Sequence, residues 1–369
     1  MAPSRVTLRE VARRAGVHPS TVSRVLNAGT RHMITEEIAK RVTEAADALS
    51  YQPNPIASGL KTNRSRIVGV LIPDITNPVF PPMIRAIEDA FAEVGYTAIL
   101  ANTDNDETRE RAILRNMMAR RVDGLIMATA RRRDPLVEQC LVQEIPVVLL
   151  NRTVDSGEVS WIITDDGYGI ELAVEHMVQC GHTRIAHVAG PLSLSTGLSR
   201  YRGFLKALET ARLKADPRRI VVCHAFSEEE GRRAFLALWE KDRTFTAVVT
   251  ANDLLALGCY DALAQLGVRV PAEIAVSGFN DMRFADKLRP PLTTVRIPHY
   301  KMGAQAARTL LARLNNREAP IEHIRFKPEL IVRGSTARAH PRADNQSRPS
   351  RIALRRRKKA AEYAPSNAR

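Results

Sequence analysis

The residues best suited to chemistry lie near the start of the chain, and what they offer is hydrogen bonding to another molecule rather than bond making. In Thr7-Leu-Arg-Glu-Val-Ala-Arg-Arg-Ala-Gly-Val-His-Pro-Ser-Thr-Val-Ser-Arg-Val-Leu-Asn27, small hydroxyls and a guanidinium fall close together at Ser20, Thr21, Ser23 and Arg24. Such groups donate to phosphate oxygens and to base edges. Catalysis finds no matching pattern: there is no Gly-x-Ser-x-Gly elbow and no phosphate-cradling Gly-rich loop. His176, His182 and His187 are spaced by six and five, which does not put all three on one helical face. They read as surface or capping residues rather than as metal ligands. Cys140, Cys180, Cys223 and Cys259 lack paired metal-ligand spacing and read as reduced core or surface thiols.

The elements that position those donors follow from apolar spacing. Leu8, Val11, Ala12 and Ala15 recur at helical intervals, and Thr7 with Glu10 forms a capping box. Gly16 stops that helix, Pro19 suits the first turn of a second, and Val22, Val25 and Leu26 give the second a buried face. Ser20, Thr21, Ser23 and Arg24 are left facing outward. Two short helices with a Gly-containing turn match a unit whose second helix enters the major groove. An ordinary packed helical hairpin satisfies the same periodicity. Thr35 starts a third helix, with Glu36 and Glu37 near its positive end and Ile38, Val42, Ala45, Ala46 and Leu49 on one face.

A chain of 369 residues has room for two or three domains. No apolar run reaches the ~18 residues of a membrane span and no signal peptide is visible, so a cytoplasmic protein without membrane contact is expected. Charge is uneven. Residues 1–65 carry ten Lys and Arg against five Asp and Glu, and residues 338–369 carry ten against two, which leaves only +2 of the net +15 for the 272 residues between. Basic ends on a near-neutral body suit a DNA-binding head joined to a small-molecule sensor. The final stretch, with Arg355-Arg-Arg-Lys-Lys359 among Pro, Ser and Asn, reads as a disordered basic tail. It is either merely solvated or attracted to DNA without specificity.

From Ile67 the pattern alternates short apolar runs with amphipathic stretches. Strands are expected at 67–72, 97–100, 124–127, 147–150, 185–188, 220–222, 247–249 and 274–276. Helices are expected over stretches such as 83–94, 107–120, 167–180, 203–211, 228–241 and 253–266. Continuous apolar strands alternating with helices imply buried parallel sheets, whose ligands bind beyond the carboxyl ends of the strands.

The wording of the first 60 residues, Glu-Val-Ala-Arg-Arg-Ala-Gly-Val and Thr-Val-Ser-Arg-Val-Leu-Asn followed by Tyr51-Gln-Pro-Asn54, resembles the LacI/GalR (lactose-repressor) family of bacterial transcription factors. Val-Gly-Val-Leu-Ile-Pro-Asp-Ile-Thr-Asn-Pro-Val-Phe, Gly-His-Thr-Arg-Ile-Ala, Arg-Tyr-Arg-Gly-Phe, Ala-Asn-Asp and Pro-Pro-Leu-Thr-Thr-Val carry the resemblance to about Ser335. It implies an all-α helix-turn-helix headpiece (1–52), a hinge helix and linker (53–65), and an α/β two-lobed periplasmic-binding-protein-like sensor core (66–337) of two parallel sheets flanked by helices. The lobes would comprise 66–163 with 294–325 and 164–293 with 326–337, ahead of the tail at 338–369.

By resemblance, DNA is met by Thr7, Pro19, Ser20, Thr21, Ser23, Arg24, Asn27 and Tyr51, and by Asn54, Ala57 and Leu60 of the hinge, the last wedging into the minor groove. Arg24 could donate twice to a guanine edge or hold a phosphate. The effector, a sugar or sugar acid, would meet Phe80, Asn151, Asp165, Thr196, Arg200, Phe226, Asn252 and Asn280. Arg200 is the foremost of these, with a lobe-bridging ion pair as its alternative role, and Phe80 and Phe226 could equally be core aromatics. Pro19 departs from the polar or aromatic residue often found there, and Asn280 stands where many relatives have an acid. The implied protein is a homodimeric repressor on a pseudo-palindromic operator, not an enzyme and without cofactor or metal. An effector-independent architectural DNA binder or a sugar-binding transport component are the rival readings.

Overall fold

A computed structural model describes residues 6–26, 30–51 and 64–336. Asn27, the hinge with Asn54, Ala57 and Leu60, and the tail from 338 lie outside the described residues. The head comprises α1 (Leu8–Ala15), α2 (Pro19–Val25) and α3 (Glu36–Ala48). Val11, Ala12, Ala15, Val22, Val25, Ala39, Val42, Ala45 and Ala46 form its core, with Leu8, Leu26, Ile38, Leu49 and Tyr51 packed around them. The abundance of alanine lets three short helices approach closely.

The ends of α1 are closed by side chains and a glycine. Thr7 N–H donates to Glu10 Oε2 at 2.6 Å while Thr7 Oγ1 accepts from Glu10 N–H at 3.4 Å, which completes the box. Gly16 ends the helix at φ 64°, in the left-handed region that glycine reaches without steric cost. Arg41 on α3 then donates to the Ala15 carbonyl at 2.8 Å, satisfying an acceptor that the helix end leaves open.

Two six-stranded sheets follow. The first contains β1 (Ile67–Ile72), β2 (Thr97–Asn102), β3 (Gly124–Met127), β4 (Val147–Leu150), β5 (Ser160–Thr164) and β11 (His323–Phe326), in the order β11-β5-β4-β3-β1-β2. The second contains β6 (Ile185–Ala189), β7 (Ile220–Val222), β8 (Ala247–Thr250), β9 (Ala275–Asn280), β10 (Thr293–Arg296) and β12 (Glu329–Ile331), in the order β12-β10-β9-β8-β6-β7. All pairings are parallel except β10 with β12. The central strands are buried along their length, as sheets covered on both faces require.

The helices are α4 (Phe80–Ala92), α5 (Glu107–Ala119), α6 (Pro135–Val142), α7 (Asp166–Gln179), α8 (Ser195–Thr210), α9 (Glu228–Lys241), α10 (Asp253–Leu266) and α11 (His299–Asn315). The chain passes between sheets three times: after β5, after β10 and after β11. β10 pairs with β9 and so belongs to the second sheet. The second passage therefore lies beyond Arg296, not at residue 294 as the resemblance implied. On its return the chain lays α11 along α4, where Gly303 meets the Met83 carbonyl so closely that a Cβ would collide with it.

Candidate nucleic-acid interface and ligand cleft

On α2, Ser20 and Arg24 are exposed and Pro19, Thr21 and Ser23 half-exposed, while Val22 and Val25 are buried. The polar donors therefore share the face away from the head's core. His18, not singled out from sequence, caps α2: its Nδ1 accepts from Ser20 N–H at 3.2 Å and lies 2.8 Å from Ser20 Oγ. The signal was its position before Pro19, the natural place for a cap. Thr7 is exposed at the start of α1, where free backbone N–H groups favour an anion. Tyr51 packs half-buried against the head, with its N–H on the Ala46 carbonyl at 2.8 Å, and burial raises its phenol pKa.

The cleft is built where parallel strands end. Gly203 on α8 lies 2.5 Å, measured from an added Cβ, from the Gly167 carbonyl on α7, so the two helices touch and bring Arg200 to Asp166. Arg200 Nε and Nη2 donate to Asp166 Oδ1 at 2.8 and 2.6 Å, and Nη1 donates to the Ala251 carbonyl at 2.8 Å. The guanidinium lies 3.9 Å over the Phe279 ring and 5.8 Å from that of Phe226. Both charged side chains are almost fully buried. Burial pushes the Asp166 pKa up, and the Arg200 charge opposes that rise. All these partners belong to the second lobe, so the ion pair does not bridge the lobes. Arg200 spends its three nitrogens on protein and organises the wall of the cleft.

Around it stand Thr196, buried one turn earlier on α8, Phe226 and Asn252. Asn252 caps α10 by accepting from Leu255 N–H at 2.9 Å. Asn280, the last residue of β9, is 7% exposed at φ 110°, and its Oδ1 has no hydrogen-bond partner among the described residues. A strained backbone and an orphaned acceptor are costs that a bound donor would offset. Behind this wall Asp253 is fully buried, which raises its pKa to about 7 against the bonds it accepts from Thr294 Oγ1 and Met282 N–H.

The first lobe supplies Asn151, at φ 65° beyond β4, and Phe80, which is 2% exposed within an apolar cluster and reads as core. Asp165 sits apart. It caps α7 through Tyr168 N–H at 3.2 Å and faces Arg325 at 3.9 Å beside a depression of about 280 Å³ lined also by Phe326 and Lys327. The carboxylate at Arg200 is thus Asp166, which sequence reasoning passed over in favour of its neighbour.

Sequence reasoning also missed Arg152, buried beyond β4, whose Nη1 donates to Asn105 Oδ1 at 3.2 Å and to the Thr129 carbonyl at 3.4 Å. Its signal was a cation two residues beyond a wholly apolar strand. The lobes are clasped where Arg132 N–H donates to the Ser193 carbonyl at 3.2 Å and Thr153 N–H to Ser195 Oγ at 2.9 Å.

The three histidines are not surface groups. His187 is fully buried and stacked on Phe204 at 4.4 Å, and its Nδ1 donates to the Val249 carbonyl at 2.8 Å. His182 is buried against Thr246 at 2.9 Å, and His176 is half-buried against Thr336 at 2.8 Å. Each side chain is drawn inward to a packed neighbour, His176 from a helix, His187 from a strand and His182 from the connection between them.

The ribose operon repressor of Halalkalibacterium halodurans is 33% identical over 330 residues, covering 89% of this chain and 97% of that protein. The description "bacterial regulatory proteins, lacI family" matches residues 7–54, and a periplasmic binding protein-like domain matches residues 174–336. The chain belongs to the LacI family. Among solved structures of this family, the lac repressor dimer bound to operator and the anti-inducer ONPF is 27% identical, covers 90% of this chain and 100% of that chain, and has a TM-score of 0.80. A LacI-family regulator from Enterococcus faecium with bound ribose is 31% identical, covering 74% of this chain and 100% of that chain with a TM-score of 0.66. Among the described residues no helix is long and apolar enough to cross a membrane.

Proposed function

We infer that this LacI-family protein is a transcriptional repressor whose affinity for operator DNA is set by a small molecule bound between its two lobes. The reading is supported above all by one juxtaposition: an outward row of donors on α2 and, in the same chain, a two-lobed core with buried polar groups at its strand ends. A core serving only as architecture would fill that cleft with apolar side chains, because an unpartnered buried acceptor such as Asn280 Oδ1 is costly. The molecule acts by binding rather than by catalysis.

In this reading Ser20 and Arg24 meet base edges, Thr21, Ser23 and Thr7 meet phosphates, and Pro19 fixes the start of the reading helix. Asn27 adds a contact beyond α2, and Tyr51 holds the junction to the hinge, where Asn54, Ala57 and Leu60 add contacts. Two heads on a homodimer read a pseudo-palindromic site, because one head touches few bases and two in fixed register add their energies. The lac repressor related in fold is described as a dimer on operator. Asn151, Asn252 and Asn280 hydrogen-bond the hydroxyls of a sugar or sugar acid, Phe226 offers it an aromatic face, and Thr196, Arg200 and Asp166 form the wall behind it. Asp165 and Arg325 lie at the passage between lobes. Ligand closure biases the spacing of the heads through the hinge.

A thermal-shift screen over sugars and sugar acids, repeated with symmetric operator DNA, tests the reading. It is supported by a ligand that both stabilises the protein and changes its operator affinity, and it fails if ligands leave both unchanged.

A further inference from the structure

We propose that the effector is an anion, a hydroxylated molecule bearing a carboxylate or phosphate group that Arg152 receives. This rests on the cleft being the effector site and names the chemistry of its occupant. The observation is an imbalance of charge. Arg200 has Asp166 at 2.6 Å, Arg132 has Asp155 at 2.6 Å and Arg131 has Glu110 at 3.6 Å. Arg152, only 6% exposed, has no carboxylate within 4.0 Å among the described residues, and only Nη1 finds neutral partners, Asn105 Oδ1 and the Thr129 carbonyl.

No charged neighbour of Arg152 supplies a full counter-charge. Glu110 is the carboxylate it senses most strongly, yet it lies beyond 4.0 Å, pairs loosely with Arg131 at 3.6 Å and leaves its buried Oε1 without a hydrogen-bond partner among the described residues, and burial raises its pKa, which weakens it as a counter-charge. Asp134, the other acid in that wall, accepts from Leu136 and Val137 at the head of α6 and from Arg131 N–H. Arg131 and Arg200 repel Arg152, and Arg200 does so from the opposite lobe. A guanidinium remains charged at neutral pH even where burial lowers its pKa to about 10. A buried cation without a partner is costly, and its planar fork suits an oxyanion.

The second lobe has no such need. Its arginine is neutralised by Asp166, and it offers Asn280 Oδ1 as an acceptor for a hydroxyl and Phe226 as an apolar face. An anionic end towards Arg152 and a hydroxylated end towards Asn280 is the polarity these walls complement.

The test uses the full-length protein and matched probes: D-gluconate and D-glucose 6-phosphate against D-glucose, and D-ribonate and D-ribose 5-phosphate against D-ribose. Wild type is expected to show saturable thermal stabilisation by at least one charged member and none by its neutral partner, and the charged member that acts distinguishes carboxylate from phosphate. Arg152→Met weakens that binding at least about tenfold, while Arg152→Lys retains the preference for the charged probe. Without ligand, Arg152→Met melts within about 4 °C of wild type, because no protein carboxylate loses its partner. A larger fall, or failure to fold, identifies Arg152 as a structural counter-ion and overturns the proposal. Stabilisation by neutral sugars that Arg152→Met leaves unchanged overturns the charge assignment while the cleft reading stands, and stabilisation by neither class overturns both.

Discussion

Replacing Arg200 with methionine removes three hydrogen bonds of 2.6 to 2.8 Å and the cation held 3.9 Å over Phe279, and leaves the Asp166 carboxylate buried alone. Breaking a buried pair from one side costs about 3 to 5 kcal/mol, since the remaining charge keeps its desolvation penalty and loses its compensation. Part of that penalty is relieved when Asp166 takes a proton. Its folded pKa, already raised by burial, rises further without Arg200. The sign follows: stability of Arg200→Met is fullest below the ordinary carboxylate pKa and declines as pH rises through the folded value, so the deficit is smaller at pH 5 than at pH 8. Arg200→Met with Asp166→Asn removes both charges and is expected to recover about 2 kcal/mol relative to the sum of the single losses. Urea unfolding at both pH values, on the two single variants and the double, gives the whole cycle. A loss below about 1 kcal/mol for Arg200→Met, or strictly additive losses, would refute the assignment of Arg200 as the charge that holds this wall.

His187 and His299 have pKa values lowered by burial to about 4, so the stability they confer is present above about pH 6.5 and lost as pH falls towards 4. His187→Gln should make the acid limb of a stability–pH curve shallower by about one proton, and an unchanged limb would count against a neutral buried imidazole. Arg24→Ala should cost about 1 to 3 kcal/mol on operator and little on scrambled DNA. Equal weakening on both sequences, with the salt slope reduced by about one, would make Arg24 a phosphate contact instead. Thr7→Ala removes the acceptor for Glu10 N–H and the hydroxyl donor to Glu10, and should loosen α1 by about 1 kcal/mol. Hydrogen exchange at the first α1 amides reads that change, and protection equal to wild type would mean the box adds nothing.

Legibility in the sequence followed hydrophobic contrast. β1, β3, β4 and β7 fall where their apolar runs place them, and α9 and α10 match their expected limits. α11 is missing from the expected helices although Met302, Ala306, Ala307 and Leu310 recur at helical spacing, because alanine and glycine make up half of its buried face and weaken the apolar contrast. β11 and β12 are four- and three-residue edge strands with little burial, which periodicity cannot separate from loop. α8 begins at Ser195, two turns before the expected start, because its opening Ser-Thr-Gly-Leu-Ser has no apolar stripe, and there lie Thr196 and Arg200.

For the cleft, residue type was readable but partnership was not. Asp165 and Asp166 are adjacent carboxylates, and only the contact of Gly203 with Gly167 decides which one Arg200 meets. The same limit hid Arg152, whose importance lies in a missing counter-charge, a property of three-dimensional neighbours. The histidines were misplaced for a related reason, since a lone imidazole in an apolar strand gives no sign that a carbonyl such as that of Val249 awaits it.

The most direct test titrates fluorescent operator with the full-length protein, with and without a saturating ligand found by thermal shift, and then titrates the ligand with and without operator. Coupling between cleft and head requires operator affinity to change by about fivefold or more, in either direction, and ligand affinity to change by the same factor. A ligand that binds the cleft tightly while the operator dissociation constant stays the same would contradict the account.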